Sequence, residues 1–157
     1  MPITKENIHQ ITRDVWSSML GSEIQINPEI PASNSAERCI AGSVNITGSW
    51  NGTVLLFCSA AMAGQVAGLM LGSDPAALSP GDISDTVGEL TNIIGGNIKA
   101  LVPPPAQLSL PSVITGVEIQ VSVPNSRVLE TCSFEFNGNW LLIRLLEKVD
   151  GAPGWKK

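Results

Sequence analysis

The hydrophobic positions of the chain begin with a helical period. Over residues 4–20 apolar side chains recur about one turn apart, which predicts an amphipathic helix. Thr4 is suited to cap the start of this helix and Gly21 to end it. The apolar side chains that we expect to face the core are those of Ile8, Ile11, Val15 and Met19.

The pattern then changes to the period of β-strands. Side chains alternate between apolar and small or polar over residues 38–47, and residues 52–58 are almost continuously apolar, which together predict a β-hairpin. A short strand at residues 23–27 is predicted before it. A helix rich in alanine and glycine is predicted after it, at residues 60–71.

The longest helical pattern covers residues 79–102. Ser79 is suited to cap this helix with Asp82 as the acidic member of a capping box, and the prolines that start at Pro103 end it. Its predicted core-facing stripe consists of Ile83, Val87, Leu90, Ile94 and Leu101.

Three more strands are predicted at residues 116–123, 129–137 and 140–147, with a tight turn at Asn137-Gly138 between the last two. The last strand is apolar on both faces. An edge strand that pairs with a second copy of the chain has this pattern, and so does a buried central strand. We expect a homodimer.

The predicted order of elements is therefore α-β-β-β-α-α-β-β-β. Because strands occur in runs, this order indicates an α+β fold in which a mainly antiparallel sheet carries helices on one side. A repeated polar spacing is consistent with pseudo-two-fold halves, and chance would explain it equally well. The residues with this spacing are Asp14, Ser17 and Gly21 in the first helix and Glu89, Asn92 and Gly96 in the long helix.

Composition narrows the class of protein. The chain has 157 residues, of which 43% are hydrophobic, and this suits a single domain over residues 1–157 with a frayed tail at 150–157. A net charge of −5 argues against binding to nucleic acid or to an anionic membrane. The first residues lack the apolar segment of a secretory signal, and the cysteines are widely spaced. We therefore expect a cytoplasmic protein with reduced thiols.

Few residues offer metal or covalent chemistry. His9 is the single histidine, and the three cysteines do not form the pairs that bind zinc. The sequence predicts no metal site, no cofactor of the chain's own and no nucleophile paired with a base.

One polar ridge is predicted on the long helix. At about 100° per residue, Asp85, Glu89, Asn92 and Gly96 fall on one arc, opposite the core-facing stripe. A carboxylate and an amide thus lie one turn apart and face solvent. Gly95 and Gly96 each cost about 1 kcal/mol relative to alanine, so we expect another backbone or a neighbouring helix to approach closely there. A merely solvated helix face would also be polar.

The residues of this ridge resemble a known signature. Asp85-x-x-x-Glu89-x-x-Asn92, followed by Ile-Ile-Gly-Gly-Asn97, is similar to the motif of the CheC/CheX/FliY family of bacterial chemotaxis phosphatases. The single copy of the motif and the length of the chain are most similar to CheX.

A second segment extends the resemblance. Leu108-Ser-Leu-Pro111-Ser resembles the segment that follows the motif helix in CheX. The family pattern also contains a later proline, and here the chain departs from it. Thr115 stands at that spacing, and Pro111 is the nearest proline.

The resemblance implies a phosphatase that hydrolyses the aspartyl phosphate of a phosphorylated CheY-like receiver domain in chemotaxis signalling. Asn92 would orient the attacking water, because an amide both donates and accepts hydrogen bonds and brings no negative charge to the phosphoryl group. Glu89 would pair with a lysine of the receiver, and Asp85 and Gly96 would contact the partner. The receiver would supply its own Mg²⁺.

Two other functions are compatible with the sequence. A binding module could dock on a receiver or a motor component without catalysis. A sensor could hold a small molecule in a cleft between the second helix and the sheet.

Overall fold

The computed structural model describes residues 3–29, 37–117 and 119–149, and these residues form an α+β fold, as predicted. The predicted frayed tail, residues 150–157, lies outside the described residues. The elements are α1 (Lys5–Leu20), β1 (Gln25–Ile26), β2 (Arg38–Gly48), β3 (Gly52–Ser59), α2 (Ala60–Leu71), a 3-10 helix (Pro75–Ala77), α3 (Pro80–Lys99), β4 (Ala106–Leu108), β5 (Ser112–Val117), β6 (Ser126–Phe136) and β7 (Asn139–Lys148).

The described strands form one antiparallel sheet in the order β1-β6-β7-β3-β2-β4, and β5 pairs with β2 beside β4. When β4 is set aside, exchanging β1 with β5, β2 with β6 and β3 with β7 returns the same order in reverse. The sheet therefore has a pseudo-two-fold axis between β3 and β7, and the same exchange relates α1 to α3. The two predicted halves are thus present in the topology.

The helices pack on one face of this sheet, as predicted. His9 of α1 lies edge-on to Phe134 of β6, with 5.6 Å between ring centroids, and Gly95 of α3 lies against Val44 of β2. The cross-strand register puts Phe134 and Val44 on the same face. Because α2 contacts both α1 and α3, it belongs to the same layer.

The predicted helix boundaries depend on capping residues, and these caps are present. The Thr4 side chain accepts a hydrogen bond from the backbone of Asn7 at 3.1 Å, and Gly21 ends α1 in the left-handed conformation. Ser79 and Asp82 form a reciprocal capping box, with both hydrogen bonds at 3.1 Å.

Two residues predicted for the core lie at the surface instead. Met19 is 46% exposed, because the buried row of α1 advances by four residues at a time and reaches Trp16 and then Leu20. Leu101 is 43% exposed, because α3 ends at Lys99 and the chain has left the helical path before it.

The strand boundaries were predicted less well than the helices. β5 covers Ser112–Val117 instead of residues 116–123, because its pairing with β2 selects the earlier residues. The strand predicted at 23–27 is reduced to Gln25–Ile26, and the three-residue strand β4 was not predicted. The β6–β7 hairpin is present, with Asn137 and Gly138 at positive φ in its turn.

The pairing of β7 decides between the two interpretations of the last strand. β7 pairs with β3 on one side and with β6 on the other, so it is a central strand. Its apolar character on both faces reflects burial, and the interpretation as an edge strand was wrong.

Candidate functional site

Small residues bring α3 close to the sheet and determine its rotation. A Cβ atom on Gly95 would lie 2.5 Å from Cγ2 of Val44, and a Cβ atom on Gly42 would collide with the Thr91 hydroxyl. Gly95 therefore accommodates a side chain of the sheet, whereas the sequence led us to expect a backbone or another helix. These contacts turn the side of α3 that carries Thr91 and Gly95 towards β2.

The predicted ridge lies roughly 110° further round α3, beside this contact. Asp85 and Glu89 are exposed, and Asn92 and Gly96 are half-buried. Val87, Leu90 and Ile94 of the predicted stripe are buried on the other side. The carboxylate of Glu89 and the amide of Asn92 thus share one accessible surface, one turn apart.

Hydrogen bonding leaves these polar groups available. The side chains of Thr86, Thr91 and Asn97 donate to backbone carbonyls one turn earlier in α3, at 2.7–2.8 Å. Within the described residues, the side chains of Glu89 and Asn92 have no such partner. A carboxylate and an amide that are free of internal bonds can engage another molecule without first breaking a contact.

A cleft borders the ridge on the α2 side. It has a volume of about 250 Å³ and lies between the end of α2 and the first half of α3. Two apolar side chains form one wall and three carboxylates lie on the other; the lining residues are Met70, Leu71, Asp82, Asp85, Thr86 and Glu89.

The segment before β5 borders the ridge on the other side. A Cβ atom on Gly88 would lie 3.6 Å from Cγ of Pro111, and a Cβ atom on Gly96 would lie 3.9 Å from Cδ2 of Leu108. Pro111, the nearest proline in the family pattern, is therefore adjacent to the residue that precedes Glu89. Periodicity could not predict this contact, since it joins residues more than twenty positions apart.

Burial shifts the pKa values of two cysteines and of the histidine. Burial raises the pKa of the Cys58 thiol to about 12 and that of the Cys132 thiol to about 11, so both stay protonated near neutral pH. Burial also lowers the pKa of His9, which packs on Phe134. In the described ranges, no group of three His, Cys, Asp or Glu side chains could hold a metal ion.

Comparison with known proteins identifies the family of this chain. The family model described as "Chemotaxis phosphatase CheX" matches residues 40–135, a range that includes the whole ridge. The chain belongs to the CheX family. Among curated protein sequences, none matches this chain. No helix in the described part of this CheX-family chain is long and apolar enough to cross a membrane.

Solved structures agree with this assignment. A CheX protein from Desulfovibrio desulfuricans is 29% identical, with a TM-score of 0.70, and the match covers 90% of this chain and 97% of that one. CheX from Vibrio vulnificus is 19% identical, with a TM-score of 0.73 and coverage of 90% and 95%. The similarity to the Vibrio protein shows a shared fold alone.

One related structure contains a partner. It is the CheX–CheY–BeF3–Mg²⁺ complex from Borrelia burgdorferi, which is 20% identical, has a TM-score of 0.71 and covers 91% of this chain and 97% of that chain. At this identity it too shows a shared fold.

Proposed function

We propose that this CheX-family chain is a phosphatase for the aspartyl phosphate of a CheY-like receiver domain in cytoplasmic chemotaxis signalling. The observation that carries the proposal is that the side chains of Glu89 and Asn92 share one accessible ridge of α3 and have no internal hydrogen-bond partner among the described residues. Membership of a chemotaxis phosphatase family and the existence of a related CheX–CheY complex support it.

Asn92 is the residue to which we assign the attacking water. Its Oδ1 atom would accept a hydrogen bond from the water and hold the water oxygen in line with phosphorus. The new bond forms between the water oxygen and phosphorus, and the bond from phosphorus to the receiver's aspartate oxygen breaks. The products are inorganic phosphate and the free aspartate of the receiver.

Glu89 is the residue to which we assign the docking charge. The cleft beside it has an apolar wall at Met70 and Leu71, on which the aliphatic stem of a lysine could rest while its ammonium group meets the carboxylate. We assign this lysine to the receiver. Asp85 lies at the start of the ridge and would contact a second basic group. Gly96, at the end of the ridge, would let the partner's loops approach.

The metal ion of the reaction is assigned to the partner. Among the described residues no group of three His, Cys, Asp or Glu side chains could hold a metal ion, and in this proposal Mg²⁺ would come with the receiver. When bound there, Mg²⁺ would neutralise charge on the phosphoryl oxygens. The chain itself needs no cofactor in this proposal.

Phosphate release from a phosphorylated receiver tests the proposal. Asn92→Ala should reduce the rate by about 10²-fold or more while leaving binding of the receiver largely intact. Asn97→Ala is the matched control, because Asn97 is an exposed asparagine of the same helix whose side chain bonds back to Ile93 at 2.8 Å. An unchanged rate for Asn92→Ala would contradict the assignment.

The same assay separates catalysis from docking alone. A non-catalytic binding module would bind the phosphorylated receiver without faster release of phosphate. The sensor interpretation has less support, because the sheet-facing side chains of α2, such as Met62 and Val66, are at most 1% exposed and fill the space in which a ligand would lie.

We also propose that the chain forms a homodimer through β5, and not through the last strand, β7. No described strand pairs with the outer edge of β5, and Ile114 and Val117 on β5 are 52% and 45% exposed. Analytical ultracentrifugation tests this, and a monomer at micromolar concentration would contradict it.

A further inference from the structure

The segment Leu108–Pro111 runs beside α3 in the opposite direction. Leu108 lies beside Gly95 and Gly96, and Pro111 lies beside Gly88. Seven or eight helical residues span about 11–12 Å, and three extended residues span about 10 Å, so the two stretches match in length. Asn92, near the middle of the helical stretch, is therefore level with Ser109 and Leu110.

Leu110 is exposed although its neighbours are firmly held. The Ser109 backbone N–H donates to the Asn45 carbonyl at 2.9 Å, and the Asn45 N–H donates to Oγ of Ser109 at 2.9 Å. Pro111 restricts the backbone on the other side. The Leu110 side chain is nevertheless 88% exposed, the largest value among the exposed large hydrophobic side chains of the described residues.

A leucine that stands on a firmly held backbone, level with the Asn92 amide, indicates a contact with the partner. Burying an exposed leucine is favourable by about 1.5–3 kcal/mol, and a backbone that is already held in place loses little further entropy on binding. Neighbouring packed elements lie about 10 Å apart. A standard protein interface covers about 800 Å² on each partner, so it is wider than this spacing. A protein that brings a phosphoryl group to Asn92 would therefore also cover Leu110.

We propose that Leu110 is the apolar docking residue of this site and that it inserts against an apolar patch beside the phosphorylated aspartate of the receiver. This inference rests on the proposed function. Leu110 would set the position of the receiver over Asn92 on one side, while Glu89 sets it on the other. A receiver with a charged side chain opposite Leu110 would be a poor substrate, so this residue also selects among receivers.

Steady-state phosphate release and direct binding test this role together. Leu110→Ala should raise KM for the phosphorylated receiver about fivefold, and Leu110→Asp should raise it about thirtyfold. In both variants kcat should stay within about twofold of wild type. Thermal stability should stay unchanged, since the side chain is exposed. Val128→Ala is the matched control, because Val128 is also an exposed apolar residue, 53% accessible, but lies on β6.

Each other outcome has one meaning. An active wild type with unchanged KM in Leu110→Asp overturns the role of Leu110 and leaves the proposed function intact. A lower oligomeric mass of that variant with unchanged KM assigns Leu110 to self-association and also overturns its docking role.

The wild type tests the proposed function itself. If wild type binds the receiver loaded with beryllofluoride but releases no phosphate, the proposed catalysis is contradicted. An unchanged binding affinity of Leu110→Asp then overturns the docking role separately. If wild type does not bind, both proposals fall.

Discussion

Gly42 and Thr91 face each other across the contact between β2 and α3, and the Thr91 hydroxyl occupies the volume that a Cβ atom on Gly42 would need. Thr91 is buried and donates to the Val87 carbonyl at 2.7 Å. Because Asn92 is the next residue, this contact determines how far the candidate site stands from the sheet.

Gly42→Ala should therefore destabilise the protein by about 1–3 kcal/mol, as expected for overpacking. Thr91→Ala removes the colliding hydroxyl, so the double variant should be more stable than the sum of the two single effects predicts. Chemical denaturation of the four proteins measures this coupling. Strict additivity would mean that the two residues do not constrain each other.

Gly95 and Gly96 should respond in opposite ways to alanine. Gly95→Ala meets Val44 and should destabilise by about 1–3 kcal/mol, whereas Gly96→Ala has its nearest neighbour at 3.9 Å and should stabilise by up to about 1 kcal/mol. Thermal unfolding distinguishes the two. If Gly96→Ala is more stable but slower in phosphate release, the glycine serves the approach of the partner; full activity would remove Gly96 from the proposed contact surface.

Glu89→Ala should weaken binding of a phosphorylated receiver by about 2–5 kcal/mol if its charge pair is desolvated in the complex. Isothermal titration with a beryllofluoride-loaded receiver measures the change. Glu23→Ala, at an exposed glutamate in the loop after α1, is the control for net charge. Equal affinities of wild type and Glu89→Ala would mean that Glu89 only faces solvent.

Glu147 should make stability depend on pH. Hydrogen bonds from Arg127 at 2.7 Å and from the Trp50 indole at 2.8 Å lower the pKa of its carboxyl group. A folded-state pKa below the ordinary value contributes stability above that value, and the contribution is lost as the pH falls through the folded-state pKa. Glu147→Gln should unfold at a lower temperature than wild type at neutral pH.

In acid, the two melting temperatures should converge, because the wild-type carboxyl group is then protonated as well. Glu135→Gln makes the same charge change at an exposed position of β6 and is the control for net charge. A constant difference for Glu147→Gln at every pH would assign its effect to shape and not to charge.

The cysteines should differ in reactivity. Cys58 and Cys132 are at most 2% exposed and burial raises the pKa of each thiol, whereas Cys39 is half-buried. A disulfide-exchange reagent should therefore modify only Cys39 in the native protein and all three cysteines after unfolding. A second fast thiol in the native state would indicate local opening around the sheet.

The local features of this protein follow from its residues alone. Helix caps at Thr4 and Ser79, the turn at Asn137-Gly138 and the period of α3 depend on neighbours within a few positions, so they could be predicted from the residues alone. The arc shared by Asp85, Glu89 and Asn92 follows from helical geometry in the same way.

The other features depend on how distant parts of the chain pack together. The start of β5, the central place of β7 and the surface position of Leu101 depend on which strand pairs with which and on where a helix stops. The position of Leu108 and Pro111 beside α3 likewise arises because glycines let the helix settle against the sheet and a distant segment. Such contacts join residues far apart in the chain, and no local period encodes them.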